Sequence, residues 1–141
     1  ELTNEEIGDI FFREFVNLEA PLGLEEFELD HTAMARGEVV CHATVHIGDE
    51  KVKGSGKGNG PINAFVHLLE EAGHKDFKVT DYRSQALRGG SDADSAAYVQ
   101  IQDEESGHLL WGCGIDPSIE MAGLKALICA WNLLHRRDDG S

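Results

Sequence analysis

Positive charge is scarce in this sequence. Twelve Lys and Arg residues stand against 26 Asp and Glu, for a net charge of −14. Nucleic acid and anionic membranes reward basic surfaces, so that balance argues against both as partners. Long apolar runs are missing too. None approaches the ~20 residues that span a bilayer, and no secretory signal opens the chain. Cys41, Cys113 and Cys129 are odd in number and show no CxxC spacing. They read as reduced thiols in a cytoplasmic protein. Glu1 stands where a full-length chain would carry Met, which fits a piece cut from a longer polypeptide or, equally, a processed or trimmed chain. Proline occurs only three times, at Pro21, Pro61 and Pro117, and the last two punctuate the chain.

What is present fits one folded domain: 141 residues with ordinary charged and apolar contents, long enough to bury a core. Gly56-Lys57-Gly58-Asn59-Gly60-Pro61 is echoed by Gly112-Cys113-Gly114-Ile115-Asp116-Pro117, the two prolines lying 56 residues apart. An apolar helical pattern follows each. Ile62, Phe65, Val66 and Leu69 trace one helical face, stopped at Gly73. Ile119, Ala122, Gly123, Ala126, Leu127, Ala130, Trp131 and Leu134 trace a broader one after Pro117, with Arg136-Arg137 at its C-terminal end, where cations suit the helix dipole. Strand-like runs precede each helix. Residues 27–32 are weakly patterned, whereas Val39, Cys41, Ala43, Val45 and Ile47 alternate cleanly with Val40, His42, Thr44 and His46. A turn at 48–50 leads into a short strand over 51–55. In the second half Phe77, Val79 and Asp81 open a strand towards Leu87, a loop covers 88–94, Ala97, Val99 and Ile101 alternate, and 108–114 form the last strand. Residues 43–47 align with 97–101 at an offset of 54, restored to 56 by a longer loop.

The sequence therefore predicts an α+β fold of two pseudo-symmetric βββα units, repeats 24–74 and 75–137 within a domain over 24–141. A helix precedes them. Thr3 and Glu6 form a capping box there, with Leu2 and Ile7 as a hydrophobic staple, and Ala20-Pro21-Leu22-Gly23 reads as a linker ending the segment 1–23.

Candidate chemistry concentrates at the helix entrances. Gly56, Gly58 and Gly60 remove side chains, and Pro61 suits the first helical position. Free N–H groups above Gly58–Gly60 favour a carboxylate or phosphate, while Asp116 fills the second entrance from within by capping its own helix. A tight turn alone explains such a GxGxG string equally well. Neither a P-loop nor a dinucleotide fingerprint fits. His42 and His46 share a strand face that reads as solvated rather than metal-binding. Cys113 reads as a packing residue, without a His/Asp constellation to activate it. Asp92 and Asp94 lie in a loop that either meets solvent or takes a cation. No catalytic, metal or cofactor site assembles from these residues.

Gly56-Lys57-Gly58-Asn59-Gly60-Pro61-Ile62-Asn63-Ala64-Phe65, with Asp81-Tyr82, Ala86-Leu87, Gly90-Ser91-Asp92-Ala93, Ala96-Ala97-Tyr98-Val99 and Trp111-Gly112-Cys113-Gly114-Ile115-Asp116, resembles the C-terminal regulatory domain of 2-isopropylmalate synthase. The likeness covers residues from about 27 to 135. It implies two βββα units that pair with a second copy and bind leucine as feedback inhibitor near the pair's interface. By the same resemblance Gly58 and Gly60 expose backbone to the effector, and the helix start takes its carboxylate. Ile62, Val79, Tyr82 and Ala86 line an aliphatic pocket, Ala93 and Ser95 leave room for the side chain, and Asn63 makes a polar contact at the rim. Residues 1–16 resemble the end of the preceding linker region. An upstream catalytic barrel, absent here, would condense acetyl-CoA with 2-oxoisovalerate using a divalent metal; no cofactor is implied for this fragment. Family members commonly carry Glu-His where this chain has Ser84-Gln85. Related domains sense isoleucine on citramalate synthase, a homocitrate synthase relative is conceivable, and a dimerising module without ligand is the remaining alternative.

Overall fold

Strand β1 (Leu22–Asp30) shows how an irregular apolar pattern still gives a one-sided strand. Leu22 and Leu24 lie opposite Ile47 and Val45 of β2 (Val39–Ile47), and Phe27 and Leu29 lie opposite Ala43 and Cys41. A register shift between Leu24 and Glu26 absorbs the odd spacing. A bulge of this kind keeps all four apolar side chains on one face. The strand also begins inside the stretch expected to be linker: Leu22 is fully buried. The computed structural model describes residues 20–30, 38–86 and 95–139. The predicted helix before residue 18 lies outside them, as do Asp92, Ala93 and Asp94.

β3 (Glu50–Gly58) pairs antiparallel with β2, and its partner positions put Gly54 and Gly56 opposite Ala43 and Cys41. The first helix, α1 (Pro61–Glu71), then packs across this sheet. Gly73 ends it in a left-handed turn, φ 101°, with the His74 N–H donating to the Leu69 carbonyl at 2.9 Å. The second unit repeats the order: β4 (Phe77–Ala86), β5 (Ser95–Asp103) and β6 (Leu109–Asp116) form a separate antiparallel sheet in the order β4-β5-β6. The second helix, α2 (Ile119–Asp139), packs on it. The α+β fold of two βββα units holds.

The structure corrects the sequence on the glycines. Gly56 and Gly58 belong to β3 rather than to a loop. A Cβ on Gly56 would lie 2.1 Å from the Ala64 carbonyl oxygen and 2.6 Å from the Leu68 nitrogen. A Cβ on Gly114 would likewise lie 2.3 Å from the Ala122 carbonyl oxygen and 2.5 Å from the Ala126 nitrogen. These glycines let the helix backbone lie directly on the sheet.

That correspondence equates Gly56 with Gly114, two residues away from the match between Gly56 and Gly112 that the Gly-Pro motifs suggest. The first helical bonds agree: the Ala64 N–H donates to Gly60 O and the Ala122 N–H to Ser118 O, each at 2.9 Å. Ser118 is thus the counterpart of Gly60. Pro117 lies ahead of α2 rather than opening it.

One apolar cluster spans both units and includes Val45, Phe65, Leu68, Ile101, Leu127 and Trp131. α2 is buried well beyond the predicted stripe, with Leu124, Ile128 and Asn132 enclosed as well. Asn132 joins the units: its Oδ1 accepts from the Leu22 N–H at 2.7 Å and its Nδ2 donates to the Leu22 carbonyl at 2.8 Å. The carboxamide so occupies the outer edge of β1 as a further strand's peptide would.

Candidate functional site

The two helix entrances differ in how their free donors are met. At α1, Gly60 is the N-cap residue in an extended conformation, and no side chain caps the helix. Pro61 has no N–H to leave unpaired. Because the helical ladder starts at Ala64, the N–H groups of Ile62 and Asn63 are the ones a helix start leaves open. The Asn63 side chain instead fixes the preceding turn, its Oδ1 accepting from the Asn59 N–H at 3.1 Å.

At α2 the entrance is closed by the protein. Ser118 Oγ accepts from the Met121 N–H at 3.4 Å, and Asp116 Oδ2 accepts from the Ser118 N–H at 2.9 Å. Asp116 Oδ1 takes an ion-paired hydrogen bond from Lys125 Nζ at 2.8 Å. The helix cap is therefore Ser118, and Asp116 braces the turn before it. Burial pushes the Asp116 carboxyl up, but the bonds from Lys125 and Ser118 and the lysine charge outweigh it and hold the group below its ordinary value.

Next to the open entrance lies a cleft of about 610 Å³. Asn59, Gly60 and Pro61 border it, with Ile62, Asn63, Val66 and Glu70 of α1 and Phe77, Lys78, Val79 and Tyr82 of β4. Ile119 and Glu120 of α2 complete it. A bulge in β4 between Val79 and Asp81 sets Tyr82 opposite Val99 and Val79 opposite Ile101, so both reach the same side of the sheet. The wall is aliphatic and aromatic. The charged groups at its margin are two carboxylates and one ammonium, and the open N–H groups lie at one end.

Of the residues the sequence singled out, Gly60, Ile62, Asn63, Val79 and Tyr82 gather at this cleft. Gly58 does not: it lies buried beneath α1, where a Cβ would sit 2.3 Å from Asn63 Oδ1 and 2.7 Å from the Ala64 nitrogen. Ala86 and Ser95 are paired at the ends of β4 and β5, and Ser95 is not among the cleft residues. Ser84 and Gln85 are exposed and line a separate depression with Arg83, Tyr98 and Trp111. Sequence reasoning missed Glu70, Phe77, Lys78, Ile119 and Glu120 as cleft residues. Val66 was legible, one turn after Ile62 on the same helical face. Ile119 and Glu120 come from the distant start of α2, which no local pattern links to β4.

Among the described residues, no group of three or more His, Cys, Asp or Glu side chains is placed to hold a metal. His42 is exposed on its strand face. Cys113 is buried, and burial together with the neighbouring Cys129 pushes its thiol up to about 12. Such a group stays a thiol near neutral pH and is a poor nucleophile. No helix among the described residues is long and apolar enough to cross a membrane.

Fold and site together define a domain of two βββα repeats with one capped and one open helix entrance, the open one facing an apolar cleft. The chain belongs to the family described as the LeuA allosteric (dimerisation) domain, which it matches over residues 1–135. It is 38% identical over 132 residues to the 2-isopropylmalate synthase of Mycobacterium leprae (strain TN), covering 94% of this chain and 21% of that protein. It is similar to the enzymes of the same name from Mycobacterium ulcerans (strain Agy99), 37% identical over 96% of this chain and 24% of the relative, and from Thermobifida fusca (strain YX), 38% identical over 94% and 22%. The chain thus spans under a quarter of the length of these curated relatives.

Proposed function

We propose that this chain is the feedback-regulatory part of a cytoplasmic 2-isopropylmalate synthase, an acyltransferase of leucine biosynthesis, and that it takes L-leucine into the cleft beside α1. One observation carries the reading: an uncapped helix start borders an aliphatic cleft ringed by two carboxylates. A zwitterionic aliphatic amino acid complements all three features. Its carboxylate meets the Ile62 and Asn63 N–H groups and the positive end of the helix dipole. Its ammonium faces Glu70 or Glu120, and its side chain lies along Ile62, Val66, Val79 and Ile119. The relatives' name favours leucine over isoleucine as the effector.

Regulation then needs two arrangements that differ in leucine affinity. In this reading two copies pair, leucine stabilises an inhibited arrangement of the pair, and the change reaches an upstream catalytic barrel through residues 1–23. Leu22 is a described link on that route, because Asn132 ties it to α2. Calorimetric titration of the chain with leucine, isoleucine, valine and lysine tests the binding step. Leucine is expected to give the tightest saturable heat and lysine none. Silence with all four at millimolar concentration would remove the effector reading and leave a purely dimerising module.

A further inference from the structure

Gly123 lies within α2, where glycine is less favourable than alanine unless packing requires it. It is buried and follows Ile119 and Glu120 by one helical turn, on the face those two cleft residues share. A Cβ at this position would lie 3.0 Å from Ile62 Cδ1 and 3.4 Å from Tyr82 Cε2. Both neighbours line the cleft, and Tyr82 is 42% exposed. Gly56 and Gly114 differ in kind, because an added methyl there strikes helix backbone at 2.1 and 2.3 Å. At Gly123 the obstacles are the tips of two side chains, and the space open to them is the cleft itself.

We propose that Gly123 is a positioning residue that sets how large an aliphatic side chain the cleft accepts, acting through Ile62 and Tyr82. The missing methyl lets these two groups sit back against α2. Restoring it drives them forward and shortens the cavity. This rests on the amino-acid reading of the cleft given above.

The test is a calorimetric comparison of leucine with valine. A misfit of one methylene in an apolar pocket changes affinity by about 10- to 200-fold. In Gly123→Ala the preference for leucine over valine should fall about tenfold while the thermal midpoint stays at or above that of the parent chain. Gly123→Ala/Ile62→Val, which deletes the obstructing Cδ1, should restore the parent ratio. Ile62→Val alone should shift the ratio towards the larger ligand, a readout independent of whether Gly123→Ala folds. An unchanged ratio in either single variant, or no rescue in the double, overturns the assignment of Gly123 while leaving the cleft reading in place. Binding of neither amino acid by the parent chain overturns the cleft reading and this inference with it.

Discussion

Gly58 and Gly60 sit two positions apart in one motif and do unrelated things. Gly58 is closed in by Asn63 and the Ala64 backbone, so any side chain there must displace α1. Gly60 has extended backbone and nothing within 4 Å of an added Cβ. Gly60→Asp should therefore keep the fold, and a capping carboxylate at that position should match or exceed glycine by a few tenths of a kcal/mol. The same carboxylate fills the place proposed for the ligand's. Thermal melting is expected to show an unchanged or slightly raised midpoint for Gly60→Asp, with leucine heat abolished. Gly58→Asp should lower the midpoint sharply, since overpacking costs about 1–3 kcal/mol of stability or more. Undiminished leucine affinity in Gly60→Asp would contradict the site.

At the scale of elements, two carboxylates hold connections in the second unit. Asp103 accepts from Ser106 Oγ at 2.5 Å and from the backbone N–H groups of Ser106 and Glu105 in the β5–β6 turn. The Ser106 hydroxyl bond, chiefly, holds its carboxyl below the ordinary value despite burial. Asp116 is held low at the entrance to α2. Both groups bind protons less readily folded than unfolded, so their contribution is complete above the ordinary Asp value of 3.8 and is lost as pH falls through the lower folded values. Denaturant midpoints should stay level for these groups from pH 7 to about 5 and drop below about 4. Asp103→Asn/Asp116→Asn should be less stable at pH 7 and show a flatter acid limb. An acid limb as steep as the parent's would contradict this assignment.

The order βββα, twice, was legible because Val39 to Ile47 and Ala97 to Ile101 alternate and the helices carry their own period. Less legible were the edge strands, whose bulges after Leu24 and Val79 break the two-residue rhythm. The glycine run misled for a physical reason. A side chain absent so that a helix can approach looks in sequence like one absent to make a turn. The Gly-Pro motifs share two glycines and a proline at equal spacing but stand two positions out of structural register, so the cap fell on Ser118 instead of Asp116. Half of the cleft was readable from α1 and β4. The wall from Ile119 and Glu120 was not, since only tertiary packing brings the start of α2 to Tyr82 and Ile62.

At the scale of the whole molecule, the two sheets share no hydrogen-bonded strands among the described residues, where the apolar cluster and Asn132 join the units. Asn132→Leu keeps the branched shape of the side chain and leaves the Leu22 N–H and carbonyl without their Asn132 partner. Each unsatisfied buried group costs about 1–3 kcal/mol, so chemical denaturation should show a clear loss of stability at unchanged slope. A variant as stable as the parent would show that β1 is held by packing alone.

Central to the proposed function is a carboxylate read by the open entrance to α1. The most direct test is to titrate the chain with L-leucine and, separately, with L-leucinamide, which keeps the ammonium and the aliphatic side chain and replaces the carboxylate by a neutral amide. Saturable heat from leucine with at least tenfold weaker binding of the amide is the result expected when a charge-assisted bond of about 1.5–3 kcal/mol is lost. Equal affinity for the two would contradict the account.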